Sequence, residues 1–429
     1  MFSLKKAAAG VLSCTMLLGS LVISGCSDSN TSGTQSADNT SNGSSTAHQG
    51  EIKDISSVEL VKDMKIGWSL GNTLDGGNEI NRGQAPGAIE KSWGNPDTTK
   101  EMIDEIKKAG FNVLRVPTTW DWSTGEAPEY KISDEWFARV KEIVDYGMEN
   151  DMYVILNMHH ETWHYPTEDN YEAASDRLKK VWTQIGNYFE NYDEHLIFEG
   201  LNEPRVIGSD EEWTGGSDAT REVVNKLDAD FVSTIRSLGG NNKLRHLMIP
   251  GYAASSSEVA LKALKIPEND DKLIVSVHAY IPYNFALADS KRSNKWVACK
   301  EGFTNDIDYL ADMLKTLFID KGQAVIIGEF GARSKDNEKY RAEWAKYYVT
   351  KMKTVGVPCV WWDNGAFLGS GELFGLFDRR NLEWRYPLLK DALISASNGE
   401  YTVDGLKSDT AILDELKKDI AQSKNSSAE

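Results

Sequence analysis

The middle of the chain repeats one pattern of apolar and polar positions: an amphipathic run, a Gly or Asn/Asp turn, then a short apolar run. TKEMIDEIKKAG leads into FNVLRVP, with Met102, Ile103, Ile106 and Ala109 spaced for one helical face and Gly110 where a C-cap belongs. SDEWFARVKEIVDYGMEND leads into MYVILNM; Trp136, Val140, Ile143 and Val144 form its apolar stripe, and Ser133 stands at the N-cap. The pattern continues into LIFEGLN, LMIPG, LIVSVHAY, AVIIGEFG and CVWWDNG. With MKIGWSLG at the start, eight apolar runs begin near residues 66, 113, 153, 196, 247, 273, 325 and 359. Each interval is long enough for a return crossover, so the strands are expected to be parallel and buried on both faces. Eight such units predict a closed (β/α)₈ barrel. An open doubly wound sheet is the alternative, but GWSLGN after the first strand is no GxGxxG dinucleotide turn.

The pattern fails at both ends. Lys5 and Lys6 precede a small and apolar run that ends at Cys26, the arrangement of an export signal over residues 1–25. Ile23-Ser24-Gly25-Cys26 resembles a bacterial lipoprotein signal, in which Cys26 becomes the lipidated N-terminus; ordinary secretion is the alternative, and Gly and Ser interrupt the run too often for a permanent span. Residues 26–50 are rich in Ser, Thr, Asn and Gly and read as a flexible tether, 51–395 as the barrel, and 396–429 as a polar tail with one short helix. The protein is expected outside the cytoplasm, anchored to a bacterial membrane by lipid or secreted.

Composition narrows the class without choosing within it. With 47 Lys plus Arg against 65 Asp plus Glu, the 429 residues carry a formal charge of -18, opposite to that of a non-specific nucleic-acid binder. An apolar fraction of 40% and 13 Trp exclude a disordered acidic polymer. Four Cys, two of them in or beside the export signal, are too few for a disulfide scaffold. Neutral polymers remain as partners.

In a barrel the polar residues at the strand C-termini gather at one mouth. Reading those ends gives Arg115, His159, Asn202 with Glu203, His278 with Tyr280, Glu329 and Trp362. Glu203 after the fourth strand and Glu329 after the seventh supply the two carboxyl groups of glycoside hydrolysis, where one protonates the leaving oxygen and the other attacks or stabilises the anomeric carbon. The bland alternative is that each Glu caps a helix or pairs with Arg115.

NEP at 202–204, GEFG at 328–331 and IGWSLGNTLD at 66–75 resemble glycoside hydrolase family 5, a (β/α)₈ family with retaining chemistry. WGNPDTTKEMIDEIKKAGFNVLRVPTTW, HAYIPYNFAL and WWDNG extend the likeness toward its bacterial endo-β-1,4-glucanase and xyloglucanase branch, over roughly residues 58–392. The resemblance implies that Glu203 is the acid/base and Glu329 the nucleophile, that Arg115, His159, Asn202, His278, Tyr280 and Trp362 support them, and that no cofactor or catalytic metal is used. Arg115 is expected to orient Glu329 and favour its charged form, and the field of Glu329 is expected to raise the pKa of Glu203. A carboxyl separation of about 5 to 5.5 Å would fit retention.

Asn202 is placed to bond the sugar 2-hydroxyl, His278 to orient Glu203 or the leaving group, and Tyr280 to bond the nucleophile. Trp362 is the candidate sugar platform, Trp361 is expected in the core, and of Trp68, Trp120, Trp122, Trp163 and Trp213 one or two are candidate subsite floors, with core packing the equal alternative for each. His160-Glu161-Thr162-Trp163-His164 spells HExxH, but it follows a strand and precedes Pro166, so a zinc peptidase is refused. His159 and His160 are expected to bond sugar hydroxyls instead. The expected activity is hydrolysis of internal β-1,4 bonds in cellulose-like and mixed-linkage glucans. A xyloglucanase or an enzyme also accepting xylan or mannan is the alternative, and a non-catalytic polysaccharide-binding lipoprotein the remote one. The expected partners are β-glucan chains (cellulose, lichenan, xyloglucan) and a lipid anchor, with no nucleic acid, for a monomeric protein.

Overall fold

The computed structural model describes residues 48–289, 293–413 and 416–417. Eight strands, β1 (Ile66–Leu70), β2 (Val113–Val116), β3 (Tyr153–Asn157), β4 (Leu196–Glu199), β5 (Leu247–Ser255), β6 (Leu273–His278), β7 (Ala324–Phe330) and β8 (Cys359–Asp363), pair in chain order and close into a parallel barrel. Each is followed by a helix: α1 (Lys100–Ala109), α2 (Asp134–Glu149), α3 (Tyr171–Tyr188), α4 (Asp218–Ser237), α5 (Glu258–Ala263), α6 (Asn305–Leu317), α7 (Glu338–Thr354) and α8 (Pro387–Asn398). The (β/α)₈ expectation holds, with strands beginning where the apolar runs begin. Local signals act as read: Gly110 ends α1 at φ 113°, a conformation that disfavours side chains, and the Ser133 hydroxyl accepts the Trp136 N–H at 3.1 Å.

The alternation of side chains along each strand sets what the barrel holds. Val113, Ile155, Ile197, Met248, Ile274, Ile326 and Val360 form a buried apolar cluster that Leu60, at the end of the short helix Ser57–Leu60, and Val61 and Met64 just after it join. Two residues further along the same strand faces stand Arg115, Asn157, Glu199, Ser276 and Trp362, all buried. An apolar floor therefore passes directly into a polar layer, and His159, Glu203, His278 and Glu329 lie beyond it. Between β6 and β7 the register shifts at Val277/His278, and His278 comes level with Glu329. The opposite strand faces pack against the helices in the larger apolar cluster, which contains Trp68, Trp120, Trp136, Trp182, Trp344 and Trp361.

The folded body is wider than the segment 51–395. Gln49 bridges Tyr192 in antiparallel fashion, α8 runs to Asn398, and Leu406 from the helix Val403–Ser408 is buried in the main core. Cys26 and the export segment lie outside the described residues. Among the described residues no helix is long and apolar enough to cross a membrane, and Cys299 and Cys359 are unpaired.

Candidate active site

The polar layer is organised by Arg115, which is fully buried. Its Nε donates to Glu199 Oε2 at 2.8 Å, Nη1 to Glu329 Oε1 at 2.7 Å and Nη2 to Asn202 Oδ1 at 2.7 Å. A guanidinium presents its donors in one rigid plane, so these three bonds fix three side chains from β4, the β4 loop and β7 relative to one another. The carboxylates of Glu199 and Glu329 raise the Arg115 pKa despite the burial that opposes charge. Tyr280 completes the shell of Glu329, its hydroxyl donating to Oε2 at 2.8 Å; burial first, then the Glu329 charge, drive that phenol well above its ordinary pKa, so it stays a donor. Asn202 Oδ1 is taken by Arg115, so only its amide NH₂ is left to donate elsewhere.

Glu203 is held differently. Its Oε1 lies 2.8 Å from His278 Nδ1, Arg205 Nη1 approaches Oε2 at 3.3 Å, and the side chain keeps 16% of its surface open. His278 Nδ1 is also 3.6 Å from Glu329 Oε2, and carboxylate oxygens of Glu203 and Glu329 lie within 4.8 Å of each other. Burial penalises the charged form of Glu203, but His278, Arg205 and His160 outweigh it and hold the carboxyl below its ordinary pKa. Burial also opposes a charged His278, yet Glu329 and Glu203 raise it. The expected upward shift of Glu203 is thus corrected in direction: its carboxyl is lowered and the His278 imidazole, which stands between both carboxylates, is raised.

His159 and Trp362 form the other wall. Their rings are parallel within 4°, with centroids 5.7 Å apart. Asn157 Nδ2 donates to His159 Nδ1 at 2.9 Å while Asn157 Oδ1 accepts the Thr118 N–H, so the network leaves the His159 proton on Nε2. Burial, followed by the neighbouring cations, pushes the His159 pKa well below its ordinary value and keeps the ring neutral. Gly71 makes room for Trp362: a Cβ there would meet the indole at 2.7 Å. His160 is exposed beside this wall, its ring 5.7 Å from that of the exposed Trp93.

Not every expected aromatic reaches the mouth. Trp68, Trp120 and Trp122 are buried; Trp68 donates to Asp363 and Trp120 to the Asn157 carbonyl, so these are core residues. Trp163 is half-buried and donates to Glu161 Oε2 at 2.9 Å. Trp213 is 60% exposed and lies under the Arg205 guanidinium at 4.4 Å, which links an open indole to the Glu203 side. Of the five, Trp213 alone is exposed. The HExxH residues form a loop, and Glu161 is occupied by the Trp120 N–H as well as by Trp163. Among the described residues, no cluster of metal-ligating atoms joins His160 to His164.

Three partners escaped the strand-end reading: Glu199, Arg205 and Trp93. Glu199 also accepts Ser276 Oγ at 2.6 Å and Asn157 Nδ2 at 3.2 Å, a buried acid one layer beneath the mouth. Its signal was present, because LIFE sets a carboxylate on the inward parity of Ile197.

The chain matches the family model "Cellulase (glycosyl hydrolase family 5)" over residues 75–368. It is 49% identical over 349 residues to Endoglucanase B of Neocallimastix patriciarum, covering 80% of this chain and 72% of that protein. Among solved structures it resembles a subfamily-4 broad-specificity endoglucanase from Ruminococcus champanellensis with bound cellotriose, at 43% identity and TM-score 0.77, covering 80% of this chain and 99% of that one. A family 5 lichenase from Caldicellulosiruptor sp. F32 is 43% identical, with TM-score 0.76, covering 81% and 97%.

Proposed function

The chain belongs to glycosyl hydrolase family 5 and is a retaining endo-β-1,4-glucanase, and we propose that Glu329 and Glu203 carry its two chemical steps. The observation that carries this assignment is the unequal dress of two carboxylates, each with an oxygen within 4.8 Å of one of the other's, a closeness that suits a retaining pair. Glu329 has a fixed donor on each oxygen and attacks the anomeric carbon, forming the glycosyl-enzyme while the bond to the leaving oxygen breaks. Glu203 gives that oxygen its proton, then takes one from the water that releases the sugar.

The proton reaches Glu203 from His278. An ion pair of Glu203 carboxylate and His278 imidazolium suits an open, hydrated mouth; a glucan chain that expels water favours the neutral pair, which moves the proton along the 2.8 Å hydrogen bond onto Glu203. Once Glu329 is esterified its charge is gone, and Glu203 serves as base for water. The Asn202 amide bonds the sugar 2-hydroxyl, the His159 Nε2–H and His160 bond further hydroxyls, and Trp362 stacks on the ring under attack. The cellotriose bound to one relative and the lichenase name of another support β-1,4 and mixed-linkage glucans as substrates. Broad specificity in that first relative, together with a cavity of about 130 Å³ beside Glu203 lined by His160, Glu161, His164 and Arg205, favours tolerance of xyloglucan as a second reading.

Parallel assays on carboxymethylcellulose, lichenan, tamarind xyloglucan, xylan and glucomannan, with the anomer of the first product read by NMR, test this function. Viscosity falling ahead of reducing ends, and a β product first, are expected; an α product would overturn the mechanism, and activity confined to mannan the substrate. Residues 1–25 as signal, Cys26 as lipid site, the following stretch as tether and a monomeric state complete the proposal. Detergent-dependent extraction from membranes that disappears in Cys26→Ala tests the anchor.

A further inference from the structure

At the end of the barrel away from the mouth, four side chains from three segments converge. His48 belongs to the chain that bridges Tyr192, Asp151 to the turn between α2 and β3, and Asp193 and His195 to the turn entering β4. Asp193 reaches both imidazoles: Oδ2 lies 2.9 Å from His48 Nδ1 and Oδ1 lies 3.0 Å from His195 Nδ1. The two rings have centroids 4.0 Å apart, and Tyr153 stacks on His195 at 4.7 Å. His48 Nε2 faces Asp151 Oδ1 at 3.1 Å, and ligand atoms of His48, Asp151 and His195 all fall within 4.8 Å of one another.

His48 stands between two carboxylates, a geometry that suits a positive species at this point, either a second proton on the ring or a metal ion. A neutral imidazole carries one N–H and one lone pair. With Nδ1–H given to Asp193, the Nε2 lone pair of His48 confronts a carboxylate oxygen, two acceptors in hydrogen-bond range. A positive species between them removes the conflict. Two imidazoles and a carboxylate form a zinc donor set, and the Asp193 carboxylate, held by Nδ1 of both rings, stands where the outer partner of such a site belongs. We propose that His48, His195 and Asp151 bind one divalent transition-metal ion, zinc by its donor set, with Asp193 orienting both rings. Zinc–ligand distances of about 2.0 to 2.2 Å need the donors to close in; the Asp151 side chain, 78% exposed, is free to do so, and a fourth position remains for water. The ion fastens the residues that follow the polar stretch to the barrel floor and takes no part in hydrolysis.

The test is a calorimetric titration of the metal-stripped protein with zinc chloride alone, beside His48→Gln, His195→Gln and Asp193→Asn. One equivalent should bind and raise the melting temperature, both His variants should lose that binding, and Asp193→Asn should weaken it by roughly 10- to 100-fold. Hydrolysis of carboxymethylcellulose should be unchanged by one equivalent of zinc, and retained hydrolysis by each variant shows that it is folded. Two results would overturn the proposal. Absence of binding up to about a thousandfold above micromolar metal would leave a second proton on His48 as the cation. Binding that persists in both His variants would move the ion elsewhere, for instance to Asp75, His159 and His160 at the mouth, where it would inhibit.

Discussion

The two carboxylates of the mouth are neighbours in space and opposites in construction. Glu329 ends a strand, lies 5% exposed, and meets a fully buried guanidinium on one oxygen and a phenol on the other. Glu203 stands in the loop after β4, partly open, with a histidine that shares a proton and an arginine that lies on an exposed indole. The first is built for fixed charge and fixed direction. The second, on the proposed assignment, suits a proton that must leave and return. A nucleophile needs pre-organisation, because any reorientation adds to the barrier, whereas an acid/base needs neighbours whose balance changes during the cycle.

The sharpest way to break this contrast is Glu329→Gln. It removes the nucleophile; the single amide oxygen still accepts from Arg115, while the amide NH₂ turns toward the Tyr280 hydroxyl, which can accept it, so turnover should fall by about 10⁴-fold or more on every substrate, with a modest loss of melting temperature from the neutralised buried partner of Arg115. Glu203→Gln should separate substrates: glucans, whose leaving group needs a proton, should lose about 10² to 10⁴-fold, whereas an aryl cellobioside with an acidic phenol should still form the glycosyl-enzyme in a burst. Equal loss on both would make the two carboxylates interchangeable and end the comparison.

A smaller effect probes the proton. Arg205 helps hold Glu203 below its ordinary pKa, so Arg205→Met should raise that pKa and keep the acid protonated to higher pH. The alkaline limb of kcat/KM should move upward by up to about one unit, with less than a tenfold change at the optimum. A limb that moves downward would show that Arg205 does not act through the Glu203 charge. Trp213→Ala should be the mildest, raising KM for long glucans about two- to tenfold with little change in kcat on short aryl glycosides.

Most of the fold was legible because a parallel barrel buries each strand on both faces, which writes eight apolar runs into the chain between amphipathic helices. The mouth was legible because strand ends are where polar residues collect, and Arg115, His159, Asn202, Glu203, His278, Tyr280, Glu329 and Trp362 all lie there. What escaped were features that depend on depth and partners. Glu199 sits one layer below the ends, where only inward parity marks it. For Trp68, Trp120 and Trp122 sequence leaves platform and core equally open, and only packing shows them buried. The pKa of Glu203 was read from Glu329 alone, whereas His278, Arg205 and His160 surround it and reverse the sign. The foot of the tether was read as disordered composition, while Gln49 and His48 are held by residues far along the chain.

The most direct measurement of the central claim is mass spectrometry of the trapped intermediate. A 2-deoxy-2-fluoro cellobioside with a good leaving group slows both steps and allows the covalent ester to accumulate for peptide mapping. The label is predicted on Glu329, one per chain, and absent in Glu329→Gln. A label on Glu203, on Glu199, or on no carboxylate while activity is lost would contradict the account.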